Sequence, residues 1–137
     1  MAHPQYERTL VIIKPDGIQR SLIGEIIGRY ERVGLKLIGL KMLVPTEEQA
    51  TDHYYKVGGE AWLEAVGAKA RKKKKKKGLE CPYPTNRDNG VAVMKANARY
   101  MSAGPVIAMV WQGNQAVPLV RKITGGTEPL SSDVGTI

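Results

Sequence analysis

An α+β fold is predicted by three observations. Short apolar runs rich in β-branched residues occur at TLVIIK and PVIAMVWQG, and stretches with helical spacing of apolar residues stand between and after them. The order reads strand, helix, strand, helices, strand, helix. At 137 residues the chain is long enough to bury a core and short enough to be one domain.

Each element follows from its residues. TLVIIK, Thr9 to Lys14, is a continuous apolar run ended by Pro15, Asp16 and Gly17, and it is predicted as a central buried strand. SLIGEIIGRYERVG places Leu22, Ile23, Ile26, Ile27, Tyr30 and Val33 at helical spacing, and Gly34 suits the left-handed position past a helix end. LKLIGLKMLV, Leu35 to Val44, is predicted as a second strand with Ile38, Leu40, Met42 and Val44 on one face. Pro45 closes it, and Thr46 with Gln49 has the spacing of a capping box that opens a helix to about Tyr55. Gly58 and Gly59 break that helix; EAWLEAVGAKARKKKKKKG is helical again, and Gly78 ends it.

GLECPYPTNRDNG reads as a loop, VAVMKANARYMS as a helix, and PVIAMVWQG as a third strand ended by Gly113 and Asn114. AVPLVRKITGG is a last helix, with Pro118 in its first turn and Gly125 as its cap. A βαββαβ unit of the ferredoxin-like kind, with its antiparallel sheet, needs a fourth strand after that helix, and TEPLSSDVGTI does not supply one.

Composition narrows the function classes. Hydrophobic residues make up 42% and charged residues 25%, with no apolar run approaching a membrane span, so no membrane partner is predicted. The N-terminus lacks a secretory layout and Cys81 is the only cysteine, which together predict a reducing cytoplasm. The formal charge of +8 is local: Arg71 and Lys72–Lys77 supply seven basic residues, and the other fourteen stand against thirteen acidic ones. That run reads as a solvated helix face or an insert, with a salt-sensitive contact to nucleic acid as the alternative.

Glycine-rich nucleotide loops and paired C-x-x-C motifs are absent, and His3 and His53 share no metal-ligand spacing. KPDG, Lys14 to Gly17, ends a strand with a lysine that can meet phosphates at a sheet edge; a strand-ending turn with a snorkelling lysine looks the same. RKITGGT, Arg121 to Thr127, sets an arginine in a last helical turn before a glycine turn and a hydroxyl; a helix cap with an arginine that complements the dipole looks the same. A single His53 on a helix beside Tyr54 and Tyr55 is read as a packed or solvated histidine in preference to a nucleophile.

Taken together, ERTLVIIKPDGIQRSLIGEIIGRYERVGLKLIGLKM, SAGPVIAMVWQGNQAV and VRKITGGTEPLSSDVGTI closely resemble the nucleoside diphosphate kinase family. KPDG, the SGPV-like stretch, AMVW and the PGTI-like stretch occur in family order. The resemblance covers nearly the whole chain as a single domain, 1–137, apart from a Lys-rich insertion at about 57–89. It implies a ferredoxin-like α+β sandwich and a ping-pong reaction. In that reaction a histidine takes the γ-phosphate of an NTP, usually ATP, bound with Mg²⁺, and passes it to an NDP.

By matching motifs, the resemblance implies that Lys14 contacts the nucleotide's sugar and phosphates, that Arg121 and Thr127 bind phosphate oxygens, and that Tyr54 helps place the nucleophile. Val93 falls where the family has a base-stacking Phe, so the aromatic side of the base clamp is absent or comes from Tyr83 or Trp62. Mg²⁺ is implied to arrive with the nucleotide, and the family's shared dimer implies a homo-oligomer, tetramer or hexamer. In the family, GTI is followed by an Arg-Gly-Asp stretch, a fourth strand and an N-x-x-H-G-S-D motif with the nucleophilic histidine. A chain that stops at Ile137 is therefore expected to be C-terminally incomplete and inactive alone, or a family member that binds nucleotide without catalysis.

Overall fold

The computed structural model describes residues 6–137. His3 lies outside them. Two compact units are present. One comprises the described residues up to Leu43 with Pro105–Ile137, and the other is Val44–Gly104.

The first unit is built on three antiparallel strands, β1 (Glu7–Ile13), β2 (Lys36–Leu43) and β3 (Val106–Gly113), in the order β1-β3-β2. The central strand is therefore β3, whose Met109 and Trp111 are fully buried, whereas TLVIIK, expected in the centre, pairs only with β3 among the described residues. An apolar run cannot reveal whether one edge or both are paired. In β1 the face of Val11 and Ile13 meets the core while Leu10 on the other face is half exposed. β2 also departs from expectation. A bulge between Leu37 and Gly39 takes Ile38 out of step, so Leu37, Leu40 and Met42 pair with Trp111, Met109 and Ile107. Leu40 and Met42 remain half exposed, and Val44 lies past the strand's end.

KPDG is more than a turn: Pro15–Gln19 forms a short helix, α1, with Pro15 in its first turn. Helix α2 (Ile23–Arg32) places Ile26 and Tyr30 in the core, and Gly34 follows it at φ +89°, the left-handed geometry expected of that glycine. The helix after β3 that spans Ala116–Thr124 starts from Gln115 with no side-chain cap; the Glu7 carboxylate accepts from the Val117 N–H at 2.8 Å instead. Tyr30 is 1% exposed, with its hydroxyl 2.7 Å from Thr124 Oγ1. Thr124 Oγ1 itself donates to the Val120 carbonyl at 2.7 Å, so Tyr30 is the donor. Burial pushes the Tyr30 phenol pKa up.

The second unit is a helical pair. Helix α3 (Glu47–Lys76) opens with the expected capping box: Thr46 Oγ1 accepts from the Gln49 N–H at 3.1 Å, and Gln49 Oε1 from the Thr46 N–H at 2.9 Å. Gly59, at φ +63°, splits it into two helical segments as its glycine pair predicts. Helix α4 (Asn86–Met101) begins five residues earlier than expected, inside the stretch read as loop. Thr85 caps it by accepting from the Asp88 N–H at 3.1 Å. The Asn-Asp-Asn-Gly composition that suggested a loop serves a helix crossing. A methyl group on Gly67 would collide with the Asn86 carbonyl and one on Gly90 with the Leu63 carbonyl, while buried Asn89 donates to the Gly67 carbonyl at 2.8 Å. With β3 and the α3–α4 pair given, the helix Ala116–Thr124 is α5.

Two outcomes are expected. Gly90→Ala destabilises by about 1–3 kcal/mol in urea unfolding, because the backbones must separate. By contrast Gly28→Ala, where a new methyl meets nothing, stabilises by about 0.5–1 kcal/mol. Equal effects at the two positions would contradict the close crossing. Tyr30→Phe costs about 1 kcal/mol at neutral pH. A raised phenol pKa contributes stability that is present below the unfolded value of 10 and lost as pH rises through the folded value. The gap between wild type and Tyr30→Phe therefore narrows in alkaline unfolding scans.

Candidate active site

The end of β1 and the ends of two helices meet at one cleft of the first unit. Lys14 leaves β1 with extended backbone, φ −76° and ψ 169°, and serves as the N-cap residue of α1 without a side-chain cap bond. Arg20 closes the same helix six residues after Lys14, so one short turn of helix returns a second cation to the cleft. Arg121 comes from the last turn of α5, where its carbonyl accepts from the Gly125 N–H at 3.0 Å. The chain then turns through Gly125 at φ +83°.

These groups line a cleft of about 660 Å³, whose walls also include Asp16, Thr124, Gly126 and Ile137. Its cations are exposed, and its inner wall is apolar, from Ile13, Ile26 and Val120. Three cations against one carboxylate suit an anion with several oxygens. Tyr30 stands at the base of the cleft, and its bond to Thr124 holds the turn of α5 that carries Arg121. One main-chain and one side-chain hydrogen bond tie down the last residues: Ile137 N donates to the Ile123 carbonyl at 3.0 Å, and the Arg29 side chain, through Nη1, to the Gly135 carbonyl at 2.8 Å.

The structure thus brings together Lys14 and Arg121, and it adds Arg20, which the sequence reading passed over. Its only signal was its distance from Lys14, legible once KPDGIQ is known to be helical. Thr127 follows the glycine turn and is exposed, outside the cleft's lining. Tyr54 and Val93 belong to the helical unit. Tyr54 is half-buried, stacked on Trp62 with centroids 5.8 Å apart, and His53 meets its edge at 5.5 Å. Burial pushes the Tyr54 phenol pKa up. Val93 lies partly buried in the middle of α4, and Trp62, one of two aromatics considered for a base clamp, is already engaged by Tyr54. Among the described residues no carboxylate hydrogen-bonds His53, no group of three or more His, Cys, Asp or Glu could hold a metal ion, and no helix is long and apolar enough to cross a membrane.

Comparison with known proteins bears on family and fold. A family model described as nucleoside diphosphate kinase matches residues 7–73 and 76–137. A nucleoside diphosphate kinase from Pyrobaculum aerophilum is 39% identical over 135 residues, covering 96% of this chain and 73% of the relative. A crystal structure of an NDP kinase from the same organism superposes with a TM-score of 0.89 at 36% identity, over 96% of this chain and 73% of that one. A nucleoside-diphosphate kinase from Borrelia burgdorferi, a transition-state mimic with bound vanadate and ADP, gives a TM-score of 0.72 at 31% identity, over 98% of this chain and 65% of that one. The chain thus spans about two thirds to three quarters of the length of these proteins. The close structural match identifies the three-stranded antiparallel sheet and its helices as the α+β, ferredoxin-like fold. With its motifs in family order and the family model matched across almost its whole length, the chain belongs to the nucleoside diphosphate kinase family.

Proposed function

We propose that the protein moves the γ-phosphate of an NTP, usually ATP, to an NDP, and that the cleft of Lys14, Arg20 and Arg121 is where the phosphates bind. The observation that carries this is the convergence of these three cations, from both ends of α1 and the last turn of α5, in one cleft of about 660 Å³. The family shown by the comparisons, one of whose solved members holds ADP and vanadate, supports it.

In the ping-pong scheme an imidazole nitrogen forms a bond to the γ-phosphorus as the bond to the β–γ bridging oxygen breaks, the departing NDP taking the electron pair. The phosphohistidine then gives the group to a second NDP. What this chain's residues do is electrostatic. Lys14 supplies a compact positive charge, and Arg20 and Arg121 offer forked donors to phosphate oxygens, offsetting charge as the bridging oxygen becomes anionic. Thr127 is proposed to add a hydroxyl to the phosphates, Tyr54 to position the nucleophile, and Val93 to border the base.

Mg²⁺ fits as a companion of the nucleotide. The cleft offers one carboxylate, Asp16, beside three cations, a donor set that suits phosphate oxygens and leaves the ion to be held by them. When bound it neutralises β- and γ-phosphate charge. Residues 1–137 are read as one kinase domain with a Lys-rich insertion at about 57–89, acting in the cytoplasm as a homo-oligomer, tetramer or hexamer. The family carries its nucleophilic histidine in a segment that follows GTI. Phosphate exchange is therefore proposed for the protein that includes that segment, and these 137 residues are proposed to bind nucleotide without exchanging phosphate.

Titration calorimetry with Mg·ADP checks the cleft: Lys14→Gln and Arg121→Gln should each weaken binding about 10- to 100-fold, the cost of one charge-assisted hydrogen bond. Unchanged affinity in both would remove the cleft from consideration. Intact mass after incubation with ATP and Mg²⁺ should show no added phosphoryl group on the 137-residue chain and one on the protein containing the nucleophile segment. A phosphoryl group on the short chain that disappears in His53→Ala would overturn the assignment.

A further inference from the structure

The helical unit holds twelve of the chain's twenty-one basic residues and seven of its thirteen acidic ones, and its charge is concentrated in two places. The first is Lys72–Lys77, at the last turn and C-cap of α3. One or two lysines suffice to complement the negative end of a helix dipole, an effect confined to the last turn. Six in succession project all round the helix and repel one another. Five of the six are exposed, and among the described residues none has a carboxylate within ion-pair distance.

The second place is a face of α4. Arg87, Val91, Lys95 and Arg99 recur every four residues, so they share one side of the helix along roughly 18 Å. With Tyr83, Pro84, Ala92 and one carboxylate, Asp88, they line a groove of about 430 Å³. Arg87 is taken up by Glu60, in a two-pronged pair at 2.6 and 2.9 Å, while Lys95 and Arg99 have no carboxylate partner among the described residues. The lysine run and the groove are tied together at Tyr83. Arg71, next to the run, donates to the Tyr83 carbonyl at 2.7 Å and to Asn86 Oδ1 at 2.9 Å.

We propose that Lys72–Lys77 and the Tyr83–Arg99 groove form a track for single-stranded nucleic acid. The lysines neutralise successive phosphates, Lys95 and Arg99 continue the contact along the groove, and the partly exposed Tyr83 ring stacks on a base. Lysines are point charges without the fork that reads base edges, so the track is indifferent to sequence. A concave, basic groove with an aromatic rim fits a strand better than the flat face of a bilayer. Excess positive charge without acidic partners is the feature a polyphosphate strand compensates by releasing its counterions. The track is a function separate from phosphoryl transfer and does not depend on it.

The test is fluorescence polarisation of a labelled oligothymidylate with the 137-residue chain across a salt series. Binding should weaken with a log–log slope of about −0.7 for each phosphate neutralised. Replacing Lys72–Lys77 together by Gln should flatten that slope by several units and weaken low-salt binding at least about 100-fold. Lys95→Gln with Arg99→Gln should flatten it by about one unit. Tyr83→Ala should weaken binding about 10-fold while leaving the slope alone, because stacking releases no counterions. Circular dichroism confirms that each variant remains helical. No salt-dependent binding, or affinity untouched by loss of the lysines, would overturn the proposal. So would tighter binding to duplex of the same sequence, preference for phosphatidylserine vesicles, or displacement of the oligonucleotide by Mg·ADP.

Discussion

The sheet unit depends on the burial of Trp111. This residue lies on the one strand that, among the described residues, has partners on both sides; it is fully buried and packs on the Tyr30 ring at 5.3 Å between centroids. Its indole Nε1 finds no hydrogen-bond partner among the described residues. Leaving such a donor unmade costs about 1–3 kcal/mol, whereas burying an indole's apolar area contributes about 4–6 kcal/mol. Packing therefore wins, and the strand that carries Trp111 sets where the other elements lie. Ile107, Met109 and Trp111 define the face on which α2 and α5 settle.

From that core the cleft follows by short covalent and hydrogen-bonded links. Ile13 is buried, so Lys14, the next residue, emerges at the end of its strand. Tyr30 is buried against Trp111, and its hydroxyl reaches Thr124, three residues beyond Arg121 on the same helix. The cations themselves add little stability, being exposed and screened. What the fold does is gather them around one cleft whose inner wall is apolar.

The helical unit obeys a different constraint. Where α3 and α4 cross, glycines at positions 67 and 90 let the backbones touch, and Asn89 satisfies a carbonyl that the crossing buries. Close approach of this kind leaves the outer faces free of packing duties. Those outer faces carry the charge: the lysine run at the end of α3 and the Arg87-to-Arg99 side of α4.

Much was legible in the sequence because the signals are local. The capping box at Thr46 and Gln49, the glycine caps at Gly34 and Gly125, and the break at Gly59 each involve hydrogen bonds or backbone angles spanning a few residues. Lys14 and Arg121 were likewise visible as motif residues, and the order of motifs identified the family. What only the tertiary structure decided is which strand is central, how the bulge reassigns Ile38, that Asn86–Gly90 are helical, and that Arg20 shares the cleft. These depend on contacts between distant residues, such as Tyr30 with Thr124, ninety-four positions apart. Spacing within a segment reports its own conformation, whereas pairing, burial and convergence depend on which surface another segment covers.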